Sequence, residues 1–160
     1  MKYKEIIFED FSNYKKASMF IGLGTCNWKC CIDAGIDIGI CQNSPLAKCE
    51  DRYILTHDLV SLYIANPITE SVVFGGLEPL DAFGEVYEFI RVLREEFNNH
   101  DDIVIYTGYY EKEIKKVLTQ LKRFDNIILK TGRFIPNQEK CYDEVLGVHL
   151  ANKEQKARRI

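Results

Sequence analysis

Short, wholly apolar runs alternate along this chain with stretches whose apolar residues recur at helical spacing. Lys4 to Glu9 has the apolar centre of a first strand, and Asp10 to Lys16 reads as a loop. Ala17-Ser-Met-Phe-Ile-Gly-Leu-Gly24 reads as a buried strand running out into a loop. Ser44-Pro45 stops regular structure, which leaves Pro45 to Glu50 as a loop or a short helical turn. Thr56 predicts an N-cap for a helix carrying Leu59, Val60, Leu62, Tyr63 and Ile64, which Pro67 ends.

From there the rhythm is regular. Ser71 to Phe74 is an apolar strand, and Asp81 to about Asn98 is a helix with Ala82, Val86, Phe89, Ile90, Leu93 and Phe97 on one face. Asp102 to Tyr106 is a strand, and Glu111 to Phe124 a helix with Ile114, Val117, Leu118 and Leu121 inward. Asn126 to Leu129 is a strand again, and Leu146 to Leu150 predicts a last short one. The tail, Lys153 to Ile160, is basic and reads as a solvated end, with an acidic partner surface as the alternative. Apolar strands of this kind are buried on both faces, so the alternation predicts βα units around a parallel sheet with right-handed crossovers.

That class has a consequence for function. In parallel α/β sheets the loops leaving the carboxyl ends of the strands gather on one face and build the site. The loop after Gly24, Gly75 to Glu78, Thr107–Gly108 and Thr131–Gly132 are therefore expected to converge.

The loop after Gly24 is where the chemistry concentrates. Gly24 to Asn43 holds Cys26, Cys30, Cys31 and Cys41, four of the six cysteines. Thiolates brought together on one short loop can hold a metal or an iron–sulfur cluster at small closure cost. The plainer alternative, buried cysteines acting as small hydrophobes, fits poorly among so many polar residues and glycines. No apolar run approaches the roughly 20 residues of a membrane span, and no signal peptide opens the chain, so a cytoplasmic location is expected. There thiols stay reduced, and clustered cysteines point to metal or catalysis rather than disulfides. A net charge of -3 argues against nucleic-acid binding as the main activity. The length suits one domain, 1–160, with an insertion at 31–40.

Three residues separate Cys26 from Cys30, Cys41 opens Cys-Gln-Asn43, and Gly75-Gly-Leu-Glu-Pro79 follows an apolar strand. These features resemble the radical S-adenosylmethionine (SAM) superfamily, whose usual signature is Cys-x3-Cys-x2-Cys. Within it the chain is most similar to the small activating proteins of anaerobic (class III) ribonucleotide reductases. Those have a Cys-aromatic-Asn, a Gly-Gly-Glu-Pro turn and a Tyr-Thr-Gly-Tyr strand end, here Tyr106-Thr-Gly-Tyr109. Asn13-Tyr14 and the segment Leu146 to Gln155 also resemble the family.

The resemblance implies a parallel-sheet partial (β/α) barrel of the small radical SAM activase type. It implies a [4Fe–4S] cluster on Cys26, Cys30 and Cys41, with one iron left open for SAM and Cys31 as the alternative to Cys30. It places Asn43, Gly75, Gly76, Glu78 and Thr107 at the cofactor, Glu78 toward the SAM amino group. It implies reductive cleavage of SAM to a 5′-deoxyadenosyl radical, with an electron from a flavodoxin or ferredoxin. That radical takes a hydrogen from a glycine of the large anaerobic ribonucleotide reductase subunit. The departures are Asp33 where a third cysteine belongs, the 31–40 insertion, whose Gly35 and Gly39 let it fold back, and Leu77 within the turn. Two alternatives remain: another small radical SAM enzyme acting on a peptide or small molecule, and a zinc module that recruits Cys49. Cys141 and the scattered His57, His100 and His149 receive no role.

Overall fold

The computed structural model describes all of residues 1–160. Its strands are β1 (Lys2–Asp10), β2 (Ser18–Leu23), β3 (Arg52–Tyr53), β4 (Ser71–Gly76), β5 (Asp102–Tyr106), β6 (Ile127–Thr131), β7 (Cys141–Asp143), β8 (Val148–Leu150) and β9 (Lys156–Arg159). Between them lie α1 (Lys29–Ala34), α2 (Ser44–Ala47), α3 (Thr56–Ala65), α4 (Phe83–Arg91) and α5 (Lys115–Leu121). Seven strands form one sheet in the order β3-β1-β2-β4-β5-β6-β9, and β7 and β8 make a separate hairpin.

The apolar strand runs become the parallel centre of that sheet. β2, β4, β5 and β6 pair parallel in turn, and their alternate residues enter two different cores. Met19, Ile21, Leu23, Val72, Phe74, Ile103, Ile105, Ile127 and Leu129 face the larger one, under α3, α4 and α5. Phe20, Val73, Val104 and Ile128 face the smaller one, covered by Tyr14, Leu146 and Leu150. Burial on both faces is why these strands read as continuous apolar runs.

The fold is thus α/β, but the expectation of a wholly parallel sheet is corrected. The sheet is mixed: β1 lies antiparallel to β2, β3 antiparallel to β1, and β9 antiparallel to β6. The basic tail is not a solvated end. It returns as β9 along the free edge of β6, where Arg158 pairs with Glu111 and Arg159 with Asp102. An uncovered β6 edge would expose a row of unpaired backbone groups.

Helix boundaries also shift. Thr56 is the first residue of α3 rather than its cap, since Leu55 occupies the cap position without a side-chain bond. The helix expected from Asp81 to Asn98 is a 3-10 turn (Pro79–Ala82), then α4, then a π-helical turn (Val92–Glu96). Val148–Leu150 is a strand as expected, but in the hairpin.

Asp102 ties the start of β5 to the β1–β2 loop and to the C-terminal strand β9. It accepts from Tyr14 Oη at 3.0 Å, Lys16 Nζ at 2.8 Å and Arg159 Nη1 at 2.7 Å. Burial alone pushes its pKa up, but the bonds from Arg159, Lys16 and Tyr14 outweigh it and hold the carboxyl below its usual range. A depressed folded pKa contributes stability above the unfolded value of about 3.9, lost as pH falls through the folded value. Urea melts of Asp102→Asn are therefore expected to lose stability at neutral pH and to show a shallower acid limb than the parent.

Candidate metal centre

The cysteine loop leaves β2 at the carboxyl end of the parallel strands, and its path is set by bonds to neighbouring exits. Glu78 N–H donates to Thr25 O at 2.8 Å, which joins it to the turn after β4. Asn27 N–H donates to Asp81 Oδ2 at 2.7 Å, and its amide reaches Asp81 Oδ1 and Tyr109 Oη. Trp28 then takes a left-handed conformation, φ 60°, just before α1. That is an uncommon position for a bulky residue and stores local strain of about 1–3 kcal/mol.

The insertion does fold back. α1 ends at Gly35, φ 63°, which is left-handed as a helix-terminating glycine favours. Asp37 then caps a short 3-10 turn (Ile38–Ile40) by accepting from Gly39 N–H at 2.7 Å. Cys41 follows, and Asn43 donates its amide to Gly76 O, tying the returning strand of the loop to the end of β4.

The result is one cavity of ≈ 190 Å³ at the strand ends. Cys26, Cys30, Cys31 and Cys41 line it together with Asn43, Gly75, Gly76, Thr107, Gly108 and Lys130. Every predicted site residue except Glu78 reaches this lining. Cys49 is exposed, its thiol directed to Pro45 O, and Cys141 lies exposed on β7. The four-thiol zinc set that needs Cys49 is not assembled. A zinc ion with Zn–S of about 2.3 Å brings thiolates within ~3.8 Å of one another, and no three His, Cys, Asp or Glu side chains are grouped to hold a single ion. A cubane is larger than one ion and takes its thiolates from around a wider cavity.

Glu78 lies just beneath the lining, only 7% exposed. Its Oε1 accepts from Leu80 N–H at 3.0 Å and Thr107 Oγ1 at 2.7 Å, and its Oε2 accepts from Gly108 N–H at 2.8 Å. The carboxylate thereby locks the exits of β4 and β5 together. Burial pushes its pKa up, against the pull of those three donors. Burial likewise pushes the Cys26 thiol up to about 12 and raises Cys30 and Cys31. A backbone donor is already aimed at one of them: Trp28 N–H at Cys26 Sγ, 3.2 Å away.

Three residues of the site carried no sequence signal. Arg133, 5% exposed, donates to Asp33 Oδ2 at 3.0 and 2.8 Å, to Glu113 Oε1 at 2.8 Å and to Gly108 O. Its guanidinium stacks over the rings of Tyr110 and Tyr109. Asp33, standing where a third cysteine was expected, therefore anchors α1 to the exits of β5 and β6. Lys130 is the second. Its buried ammonium has one acceptor, Gly132 O at 3.3 Å, and burial lowers its pKa to about 8. The third is Asp81, read as a helix-start residue, which instead holds Asn27 and Tyr109.

The glycines at the cavity divide by cause. A Cβ on Gly75 would meet the Phe20 ring at 2.7 Å, and one on Gly76, φ 75°, would meet Gly22 Cα at 2.7 Å. Both are demanded by strand packing. A Cβ on Gly108 would overlap the Cys30 sulfur and touch Glu78 Oε2 at 3.4 Å. Gly108→Ala is therefore expected to displace Cys30 and lower iron uptake during reconstitution by about threefold or more, read by iron and sulfide assay. Gly84→Ala, where nothing lies within 4 Å, is the neutral control.

No curated protein matches the chain, and no solved structure does. Residues 20–151 match the family described as 4Fe-4S single cluster domain, a span running from β2 through the cysteine loop and all three βα exits to the end of β8. With four thiols at one cavity and most of its length matched, the chain belongs to the 4Fe-4S single cluster domain family.

Proposed function

We propose that this protein is a radical SAM enzyme of the glycyl-radical-activating kind, acting on the large subunit of an anaerobic ribonucleotide reductase. The observation that carries the reading is the meeting of the cysteine loop with Gly75–Leu77, Thr107–Gly108, Lys130 and Gly132 at one cavity. When bound, a [4Fe–4S] cluster with SAM supplies one electron to the sulfonium, giving methionine and the 5′-deoxyadenosyl radical that abstracts a glycine hydrogen.

The chain's own residues support this in distinct ways. Cys26, Cys30 and Cys41 are the thiolates offered to the cluster, with the Trp28 N–H donating to Cys26. Lys130 presents spare ammonium donors to the cavity, suited to the carboxylate of an amino-acid ligand. Glu78, beneath the lining, holds the Thr107 and Gly108 exit against the β4 turn and so fixes the wall on which a ligand would rest. The Gly75 and Gly76 backbone at the lining carries no side chain that would keep a ligand at a distance. A flavodoxin or ferredoxin is the proposed electron donor.

The test is anaerobic reconstitution followed by SAM and dithionite, with and without the candidate reductase subunit. Production of 5′-deoxyadenosine together with a glycyl-radical EPR signal on the subunit supports the reading. Formation of 5′-deoxyadenosine with a peptide or small molecule but never with the reductase moves the function to another radical SAM reaction. A loaded cluster that leaves SAM intact overturns both.

A further inference from the structure

The cavity contains one thiol more than a three-cysteine cluster uses. The extra one is not accidental to α1. Cys31 is the only buried residue of that helix, 1% exposed, while Ile32, Asp33 and Ala34 all face solvent. It is also the most enclosed of the six cysteines.

Adjacent positions on a helix point about 100° apart, so Cys30 and Cys31 serve different parts of the cavity. Cys30 lies against Gly108, with the charges of Arg133, Glu78 and Lys130 around it. Cys31 instead reaches the same cavity from the buried side of α1, where Cys41 also lines it. The four thiols thus reach one cavity from three places: Cys26 after β2, Cys30 and Cys31 from α1, and Cys41 just past the insertion. A cubane has four irons and takes one thiolate on each.

We propose that Cys31 is the fourth protein ligand of the cluster, holding the iron that the three-cysteine scheme leaves open. The resting cluster is then fully thiolate-ligated by Cys26, Cys30, Cys31 and Cys41. Where SAM binds, which rests on the function proposed above, Cys31 is the ligand that yields. Were SAM to bind there, its amino nitrogen would take the place of the Cys31 sulfur on that iron, and the proton given up by the SAM ammonium would pass to the freed Cys31 thiolate, with no change of oxidation state. The 31–40 insertion supplies the reason for such a ligand: it carries Cys31 on a helix tethered by Asp33 to Arg133, while Cys41 returns through the Asn43 tie.

The experiment compares reconstituted wild type with Cys31→Ala under limited ferricyanide oxidation, following [3Fe–4S] formation by EPR. Cys31→Ala is expected to load the same iron and to convert to the three-iron form at least about fivefold more readily, because one iron then lacks a thiolate. Identical conversion in both proteins overturns the proposal. So does complete loss of iron from a Cys31→Ala protein with unchanged circular dichroism, which makes Cys31 an obligate ligand in place of Cys30. If the variant does not fold, the wild-type 57Fe Mössbauer spectrum without SAM decides: four irons in thiolate sites support the proposal, and one distinct iron overturns it. Adding SAM to reduced Cys31→Ala separates the two questions. An EPR spectrum that SAM leaves unchanged counts against the radical SAM reading alone, while the oxidation difference still reports on Cys31.

Discussion

The double variant Cys26→Ala/Cys41→Ala is expected to come through anaerobic reconstitution colourless, with iron reduced from about four per chain to near zero. The two positions sit at opposite ends of the loop, one just after β2 and the other just after the 3-10 turn at Ile38–Ile40. Removing both leaves only the adjacent pair Cys30 and Cys31 in the cavity. Two thiolates cannot hold a cubane, whether three or four protein ligands are the native number. The fold is expected to survive, because neither residue belongs to either hydrophobic core. Unchanged circular dichroism with lost iron is therefore the predicted pair of results. Iron retained at the parental level contradicts the placement of the cluster in this cavity.

Glu78→Ala is expected to be the most destabilising single change at the site. It orphans three donors at once, Leu80 N–H, Gly108 N–H and Thr107 Oγ1, in a position 7% exposed. Each unsatisfied buried donor costs about 1–3 kcal/mol, so a loss of about 3–5 kcal/mol is expected after partial relaxation. For a chain of this length that corresponds to a fall in melting temperature of roughly 10 °C or more. Glu78→Gln keeps an acceptor for Leu80 and Thr107 but turns an amide NH2 toward Gly108 N–H, and a smaller loss is expected. Thermal melts of the cluster-free proteins measure both. A Glu78→Ala protein as stable as its parent contradicts the strut between the β4 and β5 exits.

Those two variants mark where sequence patterning was informative and where it was not. Ser71 to Phe74, Asp102 to Tyr106 and Asn126 to Leu129 were legible as strands because double-sided burial leaves no polar positions to interrupt them. Once they are parallel, the meeting of their exits with the cysteine loop follows from topology, and the lining of the cavity agrees with it. β9 was illegible because Lys156, Arg158 and Arg159 look solvated until Glu111 and Asp102 are placed beside them. α1 was illegible for another reason. Six residues are too few to display a helical period, and its anchor, Arg133 to Asp33, spans a hundred positions of sequence. Lys130 sits inside an otherwise ordinary strand end, and only its burial in the cavity wall gives it chemistry.

The two departures of this chain from the three-cysteine signature have one structural account. Asp33 has taken an anchoring role with Arg133, and the loop from Gly35 to Ile40 delivers Cys41 to the cavity instead. Function then depends on what those sulfurs hold. The most direct measurement is the 57Fe Mössbauer spectrum, with iron, sulfide and zinc assays, of the protein purified without oxygen. A brown protein with about four irons and four sulfides per chain, in a single cubane spectrum, is the predicted result. A colourless protein carrying stoichiometric zinc and no sulfide contradicts it.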